Sequence, residues 1–172
     1  MFDNQTEKFI DVLGSVAETM ITNNYADHIY TLSKGISWIT FQNECAAIRI
    51  DDQLCKQGKG ITLYSSFKQN LKGDKMYTVF EDSEGDEWIL TNKGISIIGK
   101  KQVDSDFPFQ YIKEADGIIY LVSQSDKLAS YNFKTRQFKF IEIPYHVSMI
   151  NEVKKFDSNT LLLATDNGLI IY

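Results

Sequence analysis

Residues 85–98 read GDEWILTNKGISII, and this stretch decides the fold. An acidic turn leads into a short apolar strand that begins near Trp88, and Asn92-Lys93-Gly94 leads into a second apolar strand. Glycine accepts the positive φ angle that a tight hairpin turn requires, so the stretch predicts two antiparallel strands joined by a tight turn. A similar pattern recurs along the chain, which indicates a repeat rather than an isolated hairpin.

Four copies of the first strand align on one anchor residue each. The anchors are Trp38, Trp88, Tyr120 and Leu162. Their spacings are 50, 32 and 42 residues, a mean of about 41, and repeats of this length are typical of the four-stranded blades of a propeller. Turn-forming residues precede every anchor: Ser33-Lys34-Gly35, Asp82-Ser83-Glu84-Gly85, Ala115-Asp116-Gly117 and Asp157-Ser158-Asn159.

We therefore predict an all-β fold of about four four-stranded antiparallel β-propeller blades, forming a partial or unusually small propeller. The expected blades cover residues 25–66, 75–104, 109–144 and 147–172 of a single domain, 1–172. Third strands are expected at residues 46–51, 95–99, 128–133 and 169–172. Fourth strands are expected at 60–65 and 137–143, and more weakly at 101–103.

The fourth copy has no outer strand of its own, which leaves a row of unpaired backbone groups at its edge. Residues 6–12 have strand-like content and are expected to supply an outer strand, either to copy four or to a preceding blade. Residues 13–21 are expected to form a loop.

Composition excludes several classes of protein. The chain is 43% hydrophobic, which is enough for one sizeable core, and its net charge of -5 with a pI near 5.0 argues against a nucleic-acid partner. No apolar stretch approaches the roughly 20 residues needed to cross a bilayer, so we expect no direct membrane contact in this segment. Cys45 and Cys55 lack the spacing of a redox or zinc pair and are interpreted as buried or half-buried thiols, with a disulfide left open for an oxidising compartment.

Aromatic anchors allow two interpretations. The faces of Trp38, Trp88 and Tyr120 are suited to stacking on sugars, but their equivalent place in three copies is what packing between blades requires. We favour packing, and expect any ligand to bind loops at one rim or in a central channel. The sequence does not identify the ligand-binding residues.

The acidic stretch 81–87 suggests calcium binding, but it lacks the remaining positions of a calcium loop and is interpreted as a solvated hairpin turn. His28 and His146 have no nucleophile at a recognisable elbow and are interpreted as surface or half-buried strand residues. Neighbouring carboxylates occur at Asp51-Asp52 and at Asp104 and Asp106, but neighbours on a loop rarely face one substrate as a glycosidase pair does. We therefore predict no catalytic residue, no metal site and no cofactor.

Two segments carry a family resemblance. Residues 86–95, DEWILTNKGI, and 163–172, LATDNGLIIY, resemble the two-component-regulator propeller repeat of periplasmic sensor regions in bacterial hybrid two-component systems. The resemblance spans about 150 residues through four copies, two close and two degenerate. It implies a periplasmic module that senses a carbohydrate breakdown product and signals through a dimer. Members commonly close with seven blades and connect through a membrane helix to a kinase, so four copies without a kinase depart from that plan.

The function expected from the resemblance is thus a non-catalytic sensory or ligand-binding module, with an oligosaccharide as the candidate ligand. An alternative is a protein-interaction scaffold that forms homo-oligomers by pairing exposed blade edges. A propeller enzyme, either a lyase or a glycosidase, is a further alternative that requires acidic or histidine side chains to converge on one rim.

Overall fold

The computed structural model describes residues 2–3, 8–9, 25–41, 46–65, 71–73, 75–99, 105–123, 126–135, 137–143 and 146–172. These residues form four antiparallel sheets in chain order and a two-stranded ribbon near the N-terminus. Strands β1 (Phe2–Asp3) and β2 (Lys8–Phe9) make the ribbon. The described part of segment 6–12 thus pairs with Phe2–Asp3, and the rest of that segment and residues 13–21 lie outside the described residues.

Sheets 1 and 2 follow the predicted strand order. Sheet 1 contains β3 (Ala26–Thr31), β4 (Ile36–Phe41), β5 (Ala46–Asp51) and β6 (Ile61–Ser65). Sheet 2 contains β7 (Met76–Glu81), β8 (Glu87–Thr91) and β9 (Gly94–Ile98). The predicted third strands and the outer strand of copy one are confirmed, whereas residues 101–103 lie outside the described part of the chain.

Sheets 3 and 4 repeat the arrangement. Sheet 3 contains β10 (Phe109–Ala115), β11 (Ile118–Ser123), β12 (Leu128–Asn132) and β13 (Gln137–Ile141). Sheet 4 contains β14 (Ile150–Lys155), β15 (Leu161–Thr165) and β16 (Gly168–Ile171). A short α-helix, α1 (Asp52–Cys55), lies in the connection between β5 and β6, and a single 3-10 turn, Ser33–Gly35, lies between β3 and β4. Helix α1 was not predicted.

Helix α1 forms because Asp51 caps it. The Asp51 carboxylate accepts hydrogen bonds from the backbone N–H groups of Gln53 and Leu54, at 3.0 and 3.1 Å. A side-chain acceptor at this position satisfies donors that a helix start leaves without partners. The adjacent carboxylates Asp51-Asp52 therefore start a turn of helix.

Each sheet repeats the same backbone irregularity. The first strand contains one extra residue relative to the second, in the intervals 26–29, 76–78, 109–111 and 150–152. The first residue of each interval pairs with the residue that lies three positions after the anchor on the second strand. These partners are Phe41, Thr91, Ser123 and Thr165. A bulge bends its strand and increases the local twist. Its recurrence at one register shows that the alignment on the four anchors is structurally correct.

Consecutive sheets pack face to face, and the closest approaches involve their first and second strands. Three apolar clusters fill the spaces between sheets 1 and 2, sheets 2 and 3, and sheets 3 and 4. Trp38, Trp88 and Tyr120 each lie in one of these clusters, against the following sheet. This is the arrangement of blades in a β-propeller, so the predicted fold class is confirmed. The four sheets are called blades 1 to 4 below.

A polar contact, here called the clasp, joins each pair of consecutive blades. It connects the turn after the first strand of one blade to the end of the first strand of the next. Ser33 donates to Glu81 through both its N–H and its hydroxyl, at 2.5 Å each. Ser83 donates to Glu114 in the same way, at 2.7 and 2.5 Å.

The third clasp uses a different pair of groups. Asp116 of blade 3 forms an ion pair with Lys155 of blade 4 at 2.8 Å. The hydrogen bond to Asp116 raises the pKa of the Lys155 ammonium. Each clasp thus matches a donor with an acceptor at an equivalent place, even though the residues differ.

Candidate functional site

Strand order gives the array two distinct rims. Connections between blades and the turns between second and third strands lie at one end of the strands, here called the connection rim. The turns between first and second strands, which carry the clasps, lie at the opposite end. Loops tolerate variation that packed strands do not, so ligand sites are expected at a rim.

A groove of about 510 Å³ opens at the connection rim of blade 3, with Val147 of the connection to blade 4 completing its lining. Phe107 and Phe140 contribute aromatic rings to its wall, and their centroids lie 5.3 Å apart in an edge-to-face arrangement. The Phe140 side chain remains 51% exposed. A large aromatic ring exposed in a concave site is suited to binding a ligand with an apolar face.

Charged groups surround the aromatic wall of this groove. Asp126 and Lys127 lie in the turn after β11 and form an ion pair at 3.6 Å, while Glu142 follows β13. Two hydrogen bonds hold the turn: Lys127 N–H donates to the Ser123 hydroxyl at 3.1 Å, and Ser123 N–H donates to the Lys127 carbonyl at 3.0 Å. The groove therefore combines an apolar wall with carboxylate acceptors and an ammonium donor.

The aromatic anchors are not part of any open site. Trp38 and Trp88 are fully buried, and Tyr120 is 6% exposed. Burial raises the pKa of the Tyr120 hydroxyl. Trp38 packs on Tyr64 and Trp88 on Tyr131, with ring centroids at 4.8 and 5.5 Å. The interpretation of these residues as packing between blades is confirmed.

The acidic stretch 81–87 forms the predicted turn, but the prediction that it is solvated is wrong. Asp82, Asp86 and Glu87 are 4, 3 and 7% exposed. Asp82 accepts a hydrogen bond from the Trp88 indole N–H at 2.6 Å and from the N–H groups of Glu84 and Asp86. The carboxylates of Asp82 and Glu87 are buried because they accept from the buried indole N–H groups of Trp88 and Trp38, a requirement that the sequence pattern alone does not reveal.

Glu87 joins blades 1 and 2 through a buried ionic network that the sequence did not indicate. Its carboxylate accepts from the Trp38 indole N–H at 2.6 Å and from Arg49 Nη2 at 2.7 Å and Nε at 3.0 and 3.1 Å. Hydrogen bonding to Glu87 raises the pKa of Arg49. Arg49 and Glu87 are 38 residues apart in the chain, so their pairing depends on the register between two blades.

Neither histidine lies at a recognisable reaction centre. His28 is exposed, contacts Asp27 through Nδ1 at 3.2 Å and stacks on Tyr30 at 5.9 Å. His146 is exposed, and its carbonyl accepts from the Asn167 amide at 2.8 Å. Both positions agree with their interpretation as surface residues.

The remaining candidate residues are separated. Asp106 pairs with Lys72 at 2.8 Å, and Asp104 lies outside the described residues. Cys55 is a free, half-buried thiol, and Cys45 also lies outside the described part. Among the described residues, no group of three or more His, Cys, Asp or Glu side chains has the arrangement of a metal site. No described helix has the length and apolar character needed to span a membrane.

The class of protein that this geometry defines is an all-β propeller-type domain. No protein-family model and no curated protein sequence matches the chain. Solved structures do match. The extracellular domain assigned to one hybrid two component system of B. thetaiotaomicron superposes with a TM-score of 0.62 at 17% identity, over 86% of this chain and 21% of that one.

A second extracellular domain assigned to a hybrid two component system of B. thetaiotaomicron superposes with a TM-score of 0.60 at 20% identity, over 99% of this chain and 22% of that one. Virginiamycin B lyase from Staphylococcus aureus superposes with a TM-score of 0.52 at 18% identity, over 90% of this chain and 56% of the lyase. At these identities the likeness establishes the fold. The resemblance to two-component sensor propellers is confirmed at that level, and the chain spans about a fifth of each sensor domain's length.

Proposed function

We propose that this chain is a non-catalytic, ligand-binding sensory module of a two-component signalling protein, located outside the cytoplasmic membrane in the periplasm. Its fold is similar to that of the extracellular domains of two such systems, which supports the sensory role and the location. The observation that carries the ligand-binding half is the exposed Phe140 ring in a groove that also presents carboxylates.

The proposed ligand is a carbohydrate breakdown product such as an oligosaccharide. Sugar rings have C–H faces that pack on aromatic rings and hydroxyl groups that donate to carboxylates. Phe107 and Phe140 supply the aromatic surface, and Asp126 and Glu142 supply acceptors at the edge of the groove. Few precisely placed polar groups in a mostly apolar cleft are typical of small-molecule sites.

A thermal-shift screen against neutral oligosaccharides tests this proposal, because a ligand that binds only the folded state raises its Tm. Replacing Phe140 by Ala removes the exposed ring, and we expect the affinity to fall at least tenfold when titrated by calorimetry. Phe156→Ala is the matched control, since Phe156 is 69% exposed but lies in a turn at the opposite rim. No Tm shift across the panel, or equal losses in both variants, would contradict the proposed site.

The alternative functions have weaker support. A scaffold that pairs exposed blade edges is favoured by β16, which ends the three-stranded sheet of blade 4 among the described residues. Its free edge is suited to strand addition, which would form homo-oligomers. A glycosidase would degrade members of the same oligosaccharide panel, and a carbohydrate lyase would degrade uronate-containing oligosaccharides added to it, so chromatography of the incubated sugars separates catalysis from binding.

A further inference from the structure

The inference concerns the two outer faces of the four-blade array. Each blade has a leading face, which packs against the preceding blade, and a trailing face, which packs against the following one. Three interfaces between described blades each join a trailing face to a leading face. Among the described blades, the leading face of blade 1 and the trailing face of blade 4 have no such neighbour.

The leading face of blade 1 repeats a pattern that is buried in the other blades. Ile29, Val79, Ile112 and Val153 are all β-branched and occupy one register position, each opposite the residue that follows the anchor. Val79, Ile112 and Val153 are 5, 7 and 0% exposed, whereas Ile29 is 70% exposed. Ile29 therefore has the β-branched side chain that packs against a preceding blade in the other three blades, but here this side chain is exposed.

The trailing face of blade 4 repeats the opposite pattern. Leu162 occupies the anchor position and pairs with Ile171, and Ala164 pairs with Leu169 on the same face of the sheet. Leu169 and Ile171 are each 67% exposed, and Leu162 is half-exposed although the other three anchors are buried. Exposed apolar side chains that cluster on one face mark an interaction surface.

The groups at the clasp positions of these two faces are also complementary. The N–H groups of Leu32, Asp82 and Phe156 each donate a hydrogen bond across the turn after the first strand of their blade. Ser33, Ser83 and Asp157 are the residues that follow them, so Asp157 of blade 4 occupies the position of the two clasp serines. Thr31 ends the first strand of blade 1, where Glu81 and Lys155 end theirs. Both groups are exposed, and the Thr31 hydroxyl is a donor for the Asp157 carboxylate.

We propose that the trailing face of blade 4 docks on the leading face of blade 1 of a second copy of this chain. The contact is head to tail, and it reproduces the blade-to-blade packing already present three times within the chain. Head-to-tail contacts form a closed ring when the rotation completes a circle. Two copies of four blades give eight blades, which lies within the range of four to eight that propellers adopt.

Paired one-sided variants test this arrangement. Light scattering on the wild-type chain should give twice the monomer mass of 19.7 kDa. Ile29→Glu spoils only the leading face and Ile171→Glu only the trailing face, so each variant alone should be monomeric. An equimolar mixture should recover dimers, because each variant retains the face that the other needs. Leu54→Glu is the control and should remain dimeric, since Leu54 is 43% exposed on α1, away from the paired strand positions of both faces.

Several results would overturn the proposal. A wild-type chain that stays monomeric at high concentration rules out the contact, and a larger open assembly rules out the ring. If Ile29→Glu remains dimeric while Ile171→Glu does not, copies pair through blade 4 alone, as strand addition at the β16 edge predicts. Should a glutamate variant fail to fold by circular dichroism, single cysteines at positions 31 and 157, in chains with Cys45→Ser and Cys55→Ser, decide the matter. Mixing the Thr31→Cys chain with the Asp157→Cys chain under oxidation by dissolved oxygen must give a disulfide between copies, and no cross-link under these conditions overturns the docking.

Discussion

Glu87 shows how much a single buried carboxylate contributes to the joint between two blades. Replacement by Gln keeps the shape of the side chain but removes the negative charge that balances Arg49. The new amide NH₂ group also faces a group that itself donates, either the Trp38 indole or the Arg49 guanidinium, so one hydrogen bond is lost. Breaking a buried ion pair from one side is strongly unfavourable, so we expect Glu87→Gln to lower the free energy of unfolding by about 3 kcal/mol. Urea unfolding followed by circular dichroism measures the change.

Glu84→Gln serves as the control for this substitution, because Glu84 lies exposed in the same acidic stretch and should cost less than about 1 kcal/mol. The double variant Arg49→Met with Glu87→Gln should be more stable than the sum of the single losses predicts, since it removes both charges together. Additive losses would show that the two side chains do not act as a pair.

Asp166 makes the stability of blade 4 dependent on pH. Its carboxylate accepts backbone hydrogen bonds from Met149 and Ser148, and these bonds lower the pKa of Asp166. A lowered pKa stabilises the folded state above the ordinary value of about 4, and this contribution is lost as the pH falls through the lower folded value. We expect Asp166→Asn to reduce the Tm at pH 7, and we expect this reduction to shrink as the pH falls below about 4.

Asn92 provides the internal comparison for this prediction. It occupies the same turn position in blade 2 and accepts from Lys75 N–H at 3.1 Å without carrying a charge. The reciprocal variant Asn92→Asp should make the Tm fall more steeply in acid. Equal Tm differences at pH 7 and pH 2 to 3 in both variants would show that these turns do not contribute to acid sensitivity.

At the scale of the strand and its turn, a comparison of two glycines distinguishes the cost of backbone strain from the cost of a steric clash. Gly94 and Gly168 both have positive φ angles, 133 and 104°, at the same hairpin position in blades 2 and 4. A Cβ on Gly94 would collide with the Ser105 carbonyl oxygen, whereas a Cβ on Gly168 would meet nothing within 4 Å. We expect Gly168→Ala to cost about 1 to 2 kcal/mol from strain, and Gly94→Ala to cost clearly more.

Chemical denaturation of the two alanine variants gives the comparison, and the difference between them is the contribution of the Ser105 contact. Equal losses would show that the connection before β10 moves aside readily. Because both turns repeat the hydrogen bond from the threonine hydroxyl to the glycine carbonyl, Thr91 to Gly94 at 3.0 Å and Thr165 to Gly168 at 2.9 Å, the two sites are well matched.

The same elements show what the sequence could predict. Hairpins at Gly94 and Gly168 and the alternation around Trp38 and Trp88 are local signals, because turn chemistry and side-chain period act over a few residues. The network of Arg49 with Glu87 and the groove between Phe107 and Phe140 join residues that are 38 and 33 positions apart. The ionic network depends on how two blades are placed relative to each other, and the aromatic contact depends on how the connection before β10 lies against β13. No short sequence pattern encodes either arrangement.

At the scale of the whole molecule, stability should decrease from the central blades to the ends. Each blade of a repeat array contacts only its neighbours, so an end blade has one interface where a central blade has two. Residues of β8 are all buried, whereas β3 is mostly exposed. On a sample shown to be monomeric, amides in peptides covering β8 and β11 should exchange with deuterium more slowly than those covering β3 and β16.

Mass spectrometry of the exchanged peptides tests this gradient. Uniform protection across all four blades of the monomer would mean that the array opens as a single unit rather than from its ends. In the proposed two-copy ring, the end blades gain neighbours, and the protection of β3 and β16 should rise toward that of β8.

The burial of the two tryptophans has an optical consequence. Trp38 lies between blades 1 and 2 and Trp88 between blades 2 and 3, and these are the only indole rings in the chain. An indole ring buried away from water emits at a shorter wavelength than one in water. Tryptophan fluorescence of the folded chain therefore reports on the first two interfaces between blades, but not on the third, where the anchor is Tyr120. If either tryptophan is replaced by phenylalanine, the emission wavelength of the remaining tryptophan shows when one identified interface between blades opens during unfolding.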